Sequence, residues 1–100
     1  MPTYRVLLNG NGIRLPARAA GPDMIGFYTT RVVRSPSEEQ AFRDAVNLVL
    51  QQWVTGTYAE ANTGNKPKLT LESVKRTHFL DRFLFRGTGY CFYPREEAEE

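Results

Sequence analysis

A chain of 100 residues, 41% hydrophobic and 24% charged, is long enough to bury one self-supporting core and too apolar to remain disordered. No apolar run approaches the ~20 residues that a membrane-spanning helix needs, and Met1 to Gly12 lacks the basic start and long apolar stretch of a signal peptide, so a cytoplasmic protein with no membrane partner is expected. The formal charge of +2 is unevenly spread: Glu96, Glu97, Glu99 and Glu100 hold four of the eleven acids, which leaves seven acids against thirteen bases, a net of +6, on residues 1 to 95. A single domain over residues 1–95 with an acidic, disordered tail over 96–100 follows from this division.

Tyr4 to Leu8 is rich in strand formers, and Asn9-Gly10-Asn11-Gly12 offers residue pairs that tolerate positive φ, so a hairpin returning through Ile13 to Leu15 is expected. Pro16 to Asp23 is small-residue and turn-rich and reads as a loop. Gly26 to Val33 carries the strongest strand signal: Phe27, Thr29, Arg31 and Val33 share one face, Tyr28, Thr30, Val32 and Arg34 the other. Apolar groups on both faces predict a central strand.

Ser35-Pro36-Ser37-Glu38 has the form of a capping box, with Ser35 as cap, proline at the first helical position and Glu38 three residues after the cap. Ala41, Phe42, Ala45, Val46, Val49 and Trp53 then recur at helical spacing, while Glu39, Arg43, Asn47 and Gln51 fall on the opposite side. Phe42, Val46, Val49 and Trp53 are therefore expected to be largely buried. Gly56 should end the helix, and Thr57 to Pro67 reads as a polar excursion. Lys68 to Arg76 is predicted as a half-solvated strand, and Phe79 to Phe85 fits either a short helix or an extended segment. Tyr90 to Tyr93 is a final short strand stopped by Pro94. The predicted order is strand-strand-strand-helix-strand-strand, an α+β two-layer sandwich with a mainly antiparallel sheet and one central amphipathic helix.

Two stretches, Gly26 to Arg31 (GFYTTR) before the capped helix and Gly87 to Pro94 (GTGYCFYP) near the end, together resemble a group of small, uncharacterised bacterial proteins with the same order of motifs. That resemblance spans residues 24 to 95 and brings no activity, ligand or catalytic residue with it. A fold-level likeness, to double-stranded-RNA-binding-like domains of antitoxins, rests on three strands preceding one helix and licenses no function.

Residue types that carry chemistry are sparse. Cys91 is the only cysteine, which excludes an intrachain disulfide and a thiolate zinc cluster, and its neighbours Tyr90 and Phe92 suggest a small buried hydrophobe on a strand. His78 is the only histidine, and no structural metal or cofactor is expected. Thr77, His78 and Asp81, with Ser73 nearby, hold the groups of a hydroxyl, imidazole and carboxylate relay, but adjacency in sequence does not make a triad. Gly10 and Gly12 open a phosphate-loop pattern that fails at Leu15, and no helix follows. Arg86 to Tyr93 matches much of the RNA-recognition-motif consensus, with Thr88 in place of one stacking aromatic; packing of Tyr90, Phe92 and Tyr93 on the helix and neighbouring strands explains the same residues.

With no catalytic or metal-binding set, the leading expectation is a non-enzymatic binding or regulatory domain that acts through protein contacts and self-associates as a homodimer through an edge strand. The alternative is weak, sequence-independent nucleic-acid binding through Arg31, Arg34, Lys75, Arg76, Arg82, Arg86 and Tyr90. An enzyme built on His78 is a third possibility that lacks a recognisable pocket in the sequence.

Overall fold

In the first strand, Tyr4, Val6 and Leu8 alternate with Arg5, Leu7 and Asn9, and this alternation runs on through the glycine-rich stretch. The computed structural model describes residues 1–16, 22–78 and 89–94. Its elements in chain order are β1 (Thr3–Leu15), β2 (Met24–Arg34), α1 (Glu38–Val54), α2 (Thr57–Ala61), β3 (Lys68–Thr77) and β4 (Tyr90–Pro94). The strands form one antiparallel sheet in the order β3-β1-β2-β4. As its two-sided apolar pattern implies, β2 is an interior strand. No helix of the described residues is long and apolar enough to cross a membrane.

The chain does not turn at Asn9 to Gly12, so two strands rather than three precede the helix. The condition for the antitoxin-like fold is therefore not met. Gly10 is needed for close approach: a Cβ there would stand 2.2 Å from the Phe27 ring. Gly12, at φ 90°, sits where the β1–β2 register shifts between Asn11 and Leu15. Beyond it, the segment after α2 continues the pairing of β1. The Thr63 N–H donates to the Arg14 carbonyl (2.9 Å), the Asn65 N–H donates to the Gly12 carbonyl (3.0 Å), and Asn62 Oδ1 accepts from the Arg14 N–H (2.8 Å).

The capping box is shifted by two residues. Ser37 is the N-cap, and its Oγ accepts from the Gln40 N–H at 3.2 Å. Ser35 is fully buried: its N–H donates to the Pro2 carbonyl (3.0 Å) and its hydroxyl donates to Asp44 Oδ2, so it joins the start of β1 to α1 instead of capping the helix. At the other end the Thr55 N–H closes on the Gln51 carbonyl, one residue before Gly56. Part of the excursion after Gly56 is helical, as α2, where a sequence of mostly polar and small residues gave no apolar period to read. The α+β class therefore holds, with a second helix beside the expected one.

One side of the sheet carries the core. Tyr4, Val6 and Leu8 of β1 and Phe27 and Val33 of β2 pack on Ala41, Ala45, Val49 and Trp53 of α1. Phe42 and Val46, expected to be largely buried, are only half-buried because they look toward the β3 edge and not the sheet centre. Phe79 to Phe85 and the acidic tail lie outside the described residues.

Two consequences are measurable. Phe27→Ala should cost about 3–5 kcal/mol in equilibrium unfolding, as a large side chain lost from a closed core, whereas Phe42→Ala should cost roughly 1–2 kcal/mol because part of its ring already meets water. Hydrogen bonds from Ser35 and then Gln40 hold the Asp44 carboxyl below its ordinary range. A depressed carboxylate stabilises the fold above its unfolded value and loses that contribution as the pH falls through the folded one. Unfolding measured from about pH 5 down to about pH 2 should show this loss in the parent chain and a flatter acid limb for Asp44→Asn.

Candidate functional site

Strand alternation puts Arg31 on the same face of β2 as Phe27, Thr29 and Val33, so it points under the helices. It is 5% exposed. Its Nη1 donates to Thr29 Oγ1 (2.5 Å) and the Thr30 carbonyl (2.9 Å), and its Nη2 donates to Gln52 Oε1 (3.2 Å) and the Tyr90 hydroxyl (3.2 Å). The Tyr90 hydroxyl in turn donates to Gln52 Oε1, and the guanidinium carbon lies 5.3 Å from the Tyr90 ring centre. Thr29 Oγ1 donates to the Gly89 carbonyl at 2.9 Å, which ties the approach to β4 to the same group. Burial pulls the Arg31 guanidinium down from its usual range against the opposing pull of Tyr90, and burial pushes the Tyr90 phenol up against the opposing charge of Arg31.

Around this polar centre five rings close one end of the core. Trp53 stacks on Phe27 (centroids 5.3 Å apart, planes 3° apart) and on Tyr58 of α2 (5.0 Å, 26°). Tyr90 meets Phe27 edge-on at 4.8 Å and Phe92 meets it at 6.1 Å. The Trp53 indole N–H is buried and makes no hydrogen bond of good geometry among the described residues. The partners named here belong to the fold and join β2, β4, α1 and α2.

The opposite face of the sheet has a different character. By register Arg5, Leu7 and Asn9 of β1 lie beside Val32, Thr30 and Tyr28 of β2, with Lys68, Thr70, Ser73 and Lys75 of β3 on one flank and Cys91 and Tyr93 of β4 on the other. Among the described residues, neither helix packs on this face, since both contribute to the core on the other side. Tyr93 lies across Gly26, where a Cβ would come within 2.2 Å of its ring, and its hydroxyl donates to Asn9 Oδ1 at 2.9 Å. Burial is the first cause that raises the Tyr93 phenol, against the opposing hydrogen bond to Asn9, with Tyr28 and Glu72 adding to the rise. Tyr28 is 43% exposed and tilts onto Tyr93 at 5.5 Å. Arg34, Lys68 and Lys75 are exposed and make no ion pair among the described residues.

Sequence reasoning thus grouped residues that the fold separates. Arg34 and Lys75 do lie on the open face. Arg76 pairs with Tyr4 and belongs to the helix side of the edge strand. Arg31 is buried and Tyr90 half-buried on the helix side, because the strand period that buries Phe27 also buries Arg31, and the register opposite Thr29 puts Tyr90 on that side. Arg82 and Arg86 lie outside the described residues. Arg5, Lys68, Tyr28 and Tyr93 were missed as surface partners, and only the cross-strand register brings them together. Tyr90 and Phe92 pack against Trp53 and Phe27, so they are not the stacking platform of the RNA-recognition consensus. Cys91 is exposed rather than buried, because it alternates with them. His78 is exposed at the end of β3, Asp81 lies outside the described residues, and among those described no group of three or more His, Cys, Asp or Glu side chains can hold a metal ion.

Comparison with protein-family models, with curated proteins and with solved structures returns no match.

Arg31 and Tyr90 should therefore behave as coupled structural residues. Arg31→Met and Tyr90→Phe should each destabilise by about 1–3 kcal/mol, and the double variant should show a coupling of about 0.5 kcal/mol or more in equilibrium unfolding. Additive losses would show that the two groups act separately.

Proposed function

We propose that this chain is a non-enzymatic binding domain whose open sheet face takes single-stranded nucleic acid. The reading uses a two-layer arrangement, with helices over one face and the other free for a partner. The observation that carries it is the coincidence on that free face of Arg34, Lys68, Lys75 and Arg5 with the exposed ring of Tyr28. Cations neutralise phosphates at a spacing that any sequence offers, and an exposed tyrosine ring stacks on any base. The Tyr93 hydrogen bond to Asn9 fixes the floor beside Tyr28, which lowers the cost of ordering that ring on a ligand. A partner protein is a less natural occupant, because charged residues are depleted from the centres of protein interfaces, lysine among them.

Titration of fluorescent single-stranded RNA and DNA against the full chain at several salt concentrations tests the proposal. Affinity should fall with salt along a log–log slope of about −0.7 for each phosphate neutralised. Lys75→Ala and Arg34→Ala should each make that slope shallower by about 0.7, and Tyr28→Ala should weaken binding by about 1–3 kcal/mol with little change in slope. Arg76→Ala, on the other side of the sheet, should leave both nearly unchanged. No binding at low salt, or equal losses from Arg76 and Lys75, would overturn the assignment of the face.

A further inference from the structure

Among the described residues β3 forms one edge of the sheet and pairs only with β1, so alternate N–H and C=O groups along it point away from that partner. Its usable length is short. Pro67 precedes it, and the register with β1 skips Glu72, between Leu71 opposite Leu8 and Ser73 opposite Leu7. From the residue after Pro67 to the skipped residue runs Lys68-Leu69-Thr70-Leu71-Glu72.

This segment is complementary to itself in antiparallel register. With a two-fold axis through Thr70, Lys68 of one copy stands opposite Glu72 of the other, Leu69 stands opposite Leu71, and Thr70 faces Thr70. The faces agree as well. Leu69 and Leu71 lie on the helix side, as partners of Gly10 and Leu8, while Lys68 and Thr70 lie on the open side with Asn11 and Asn9, and strand alternation after Leu71 turns the exposed Glu72 to that side. Each pairing belongs to a class that stabilises neighbouring strands: opposite charges, aliphatic pairs and threonine pairs. Directly above, a groove of about 310 Å³ lined by Phe42, Val46, Leu50, Pro67 and Leu69 runs between α1 and this edge, and Leu71 stands 39% exposed beside it. An axis perpendicular to the sheet keeps both helix layers on one side, so the two grooves face each other across the seam.

We infer that a second copy of this chain docks on the β3 edge, through antiparallel pairing of Lys68 to Glu72 about Thr70 and closure of the two Phe42–Leu69 grooves against each other. This interface shares only Lys68 with the face proposed for nucleic acid, and its test needs no nucleic acid.

Sedimentation equilibrium of the full chain from about 1 to about 200 µM should show a monomer–dimer equilibrium. Lys68→Glu and Glu72→Lys place like charges opposite each other twice per dimer, and each alone should weaken association about tenfold or more. The double variant restores an opposite pair at both positions and should return to within about threefold of the parent. Both positions are exposed, and unchanged thermal unfolding of the monomers separates these effects from misfolding. In a Cys91→Ser background, Thr70→Cys should form an intermolecular disulfide under mild oxidation, since paired Cα atoms about 4.5–5.5 Å apart lie within disulfide range. A strict monomer across the concentration range, a double variant no better than the single ones, or no cross-link through Thr70→Cys would each overturn the proposed dimer.

Discussion

The Phe27 ring is the contact on which the rest of this structure depends. On one side it lies over the bare Cα of Gly10, so closely that no larger residue fits there, and on the other it is stacked parallel to Trp53. The first contact makes β1 run straight past its glycines instead of folding back, and so lengthens the β1–β2 pairing from Thr3 opposite Arg34 to Asn11 opposite Gly26. The second seats α1 on the sheet near its C-terminal end, with Ala41 and Ala45 letting the helix approach closely nearer its start. Tyr90 and Phe92 then reach the same ring edge-on, which brings β4 alongside β2. A single side chain thus sets the strand order, the helix position and the position of the last strand.

Arg31 completes this arrangement by polar means. A guanidinium has a fixed fork of donors, and here the fork reaches β2 itself, the helix through Gln52 and the last strand through Tyr90. An aliphatic residue at that position would tolerate several packings of Tyr90 on Trp53. The directional bonds select one, which is the best-attested use of a buried polar centre. They also hold Arg31 on the helix side of the sheet. The basic residues of the opposite face, Arg5, Arg34, Lys68 and Lys75, are those that the strand period turns away from Phe27.

Most of this division is legible in the residues, and the exceptions have definite causes. The central position of β2 follows from apolar groups on both of its faces, and the side of α1 that is buried follows from its spacing, as Val49 and Trp53 confirm. The inward turn of Arg31 was also readable, since alternation places it with Phe27 and Val33. The charge of the residue suggested the opposite, and periodicity outweighs charge where a guanidinium finds enough acceptors. Asn9 to Gly12 misleads because a glycine used for close approach has the same local sequence as one used for a turn, and only the Phe27 ring across the ladder tells them apart. Ser35 and Ser37 raise a similar ambiguity, resolved by Asp44 nine residues beyond Ser35. The open face was hidden for a third reason. Arg5, Tyr28, Lys68 and Tyr93 come from four strands, and no sequence pattern states the register that aligns them.

The two proposed surfaces also bear on each other. Pairing at β3 with the axis perpendicular to the sheet carries both open faces to the same side, so the dimer presents one continuous sheet of twice the width, with Lys75 and Arg34 of each copy arrayed outward from the seam. The Lys68–Glu72 pairs lie at the centre of that surface and withdraw Lys68 from phosphate contact, so each copy keeps Arg5, Arg34 and Lys75 on its own half, on the same face as Tyr28. A strand long enough to cross the seam then meets two such halves, and the second engagement is intramolecular, governed by an effective concentration rather than by a new encounter. Weak binding by a small face with few cations becomes useful in that setting, because avidity grows with the number of linked faces while each single contact remains reversible. An edge with only five self-complementary residues suits the same regime: it supports association at high local concentration, as on a shared strand, and leaves the free chain largely monomeric when dilute.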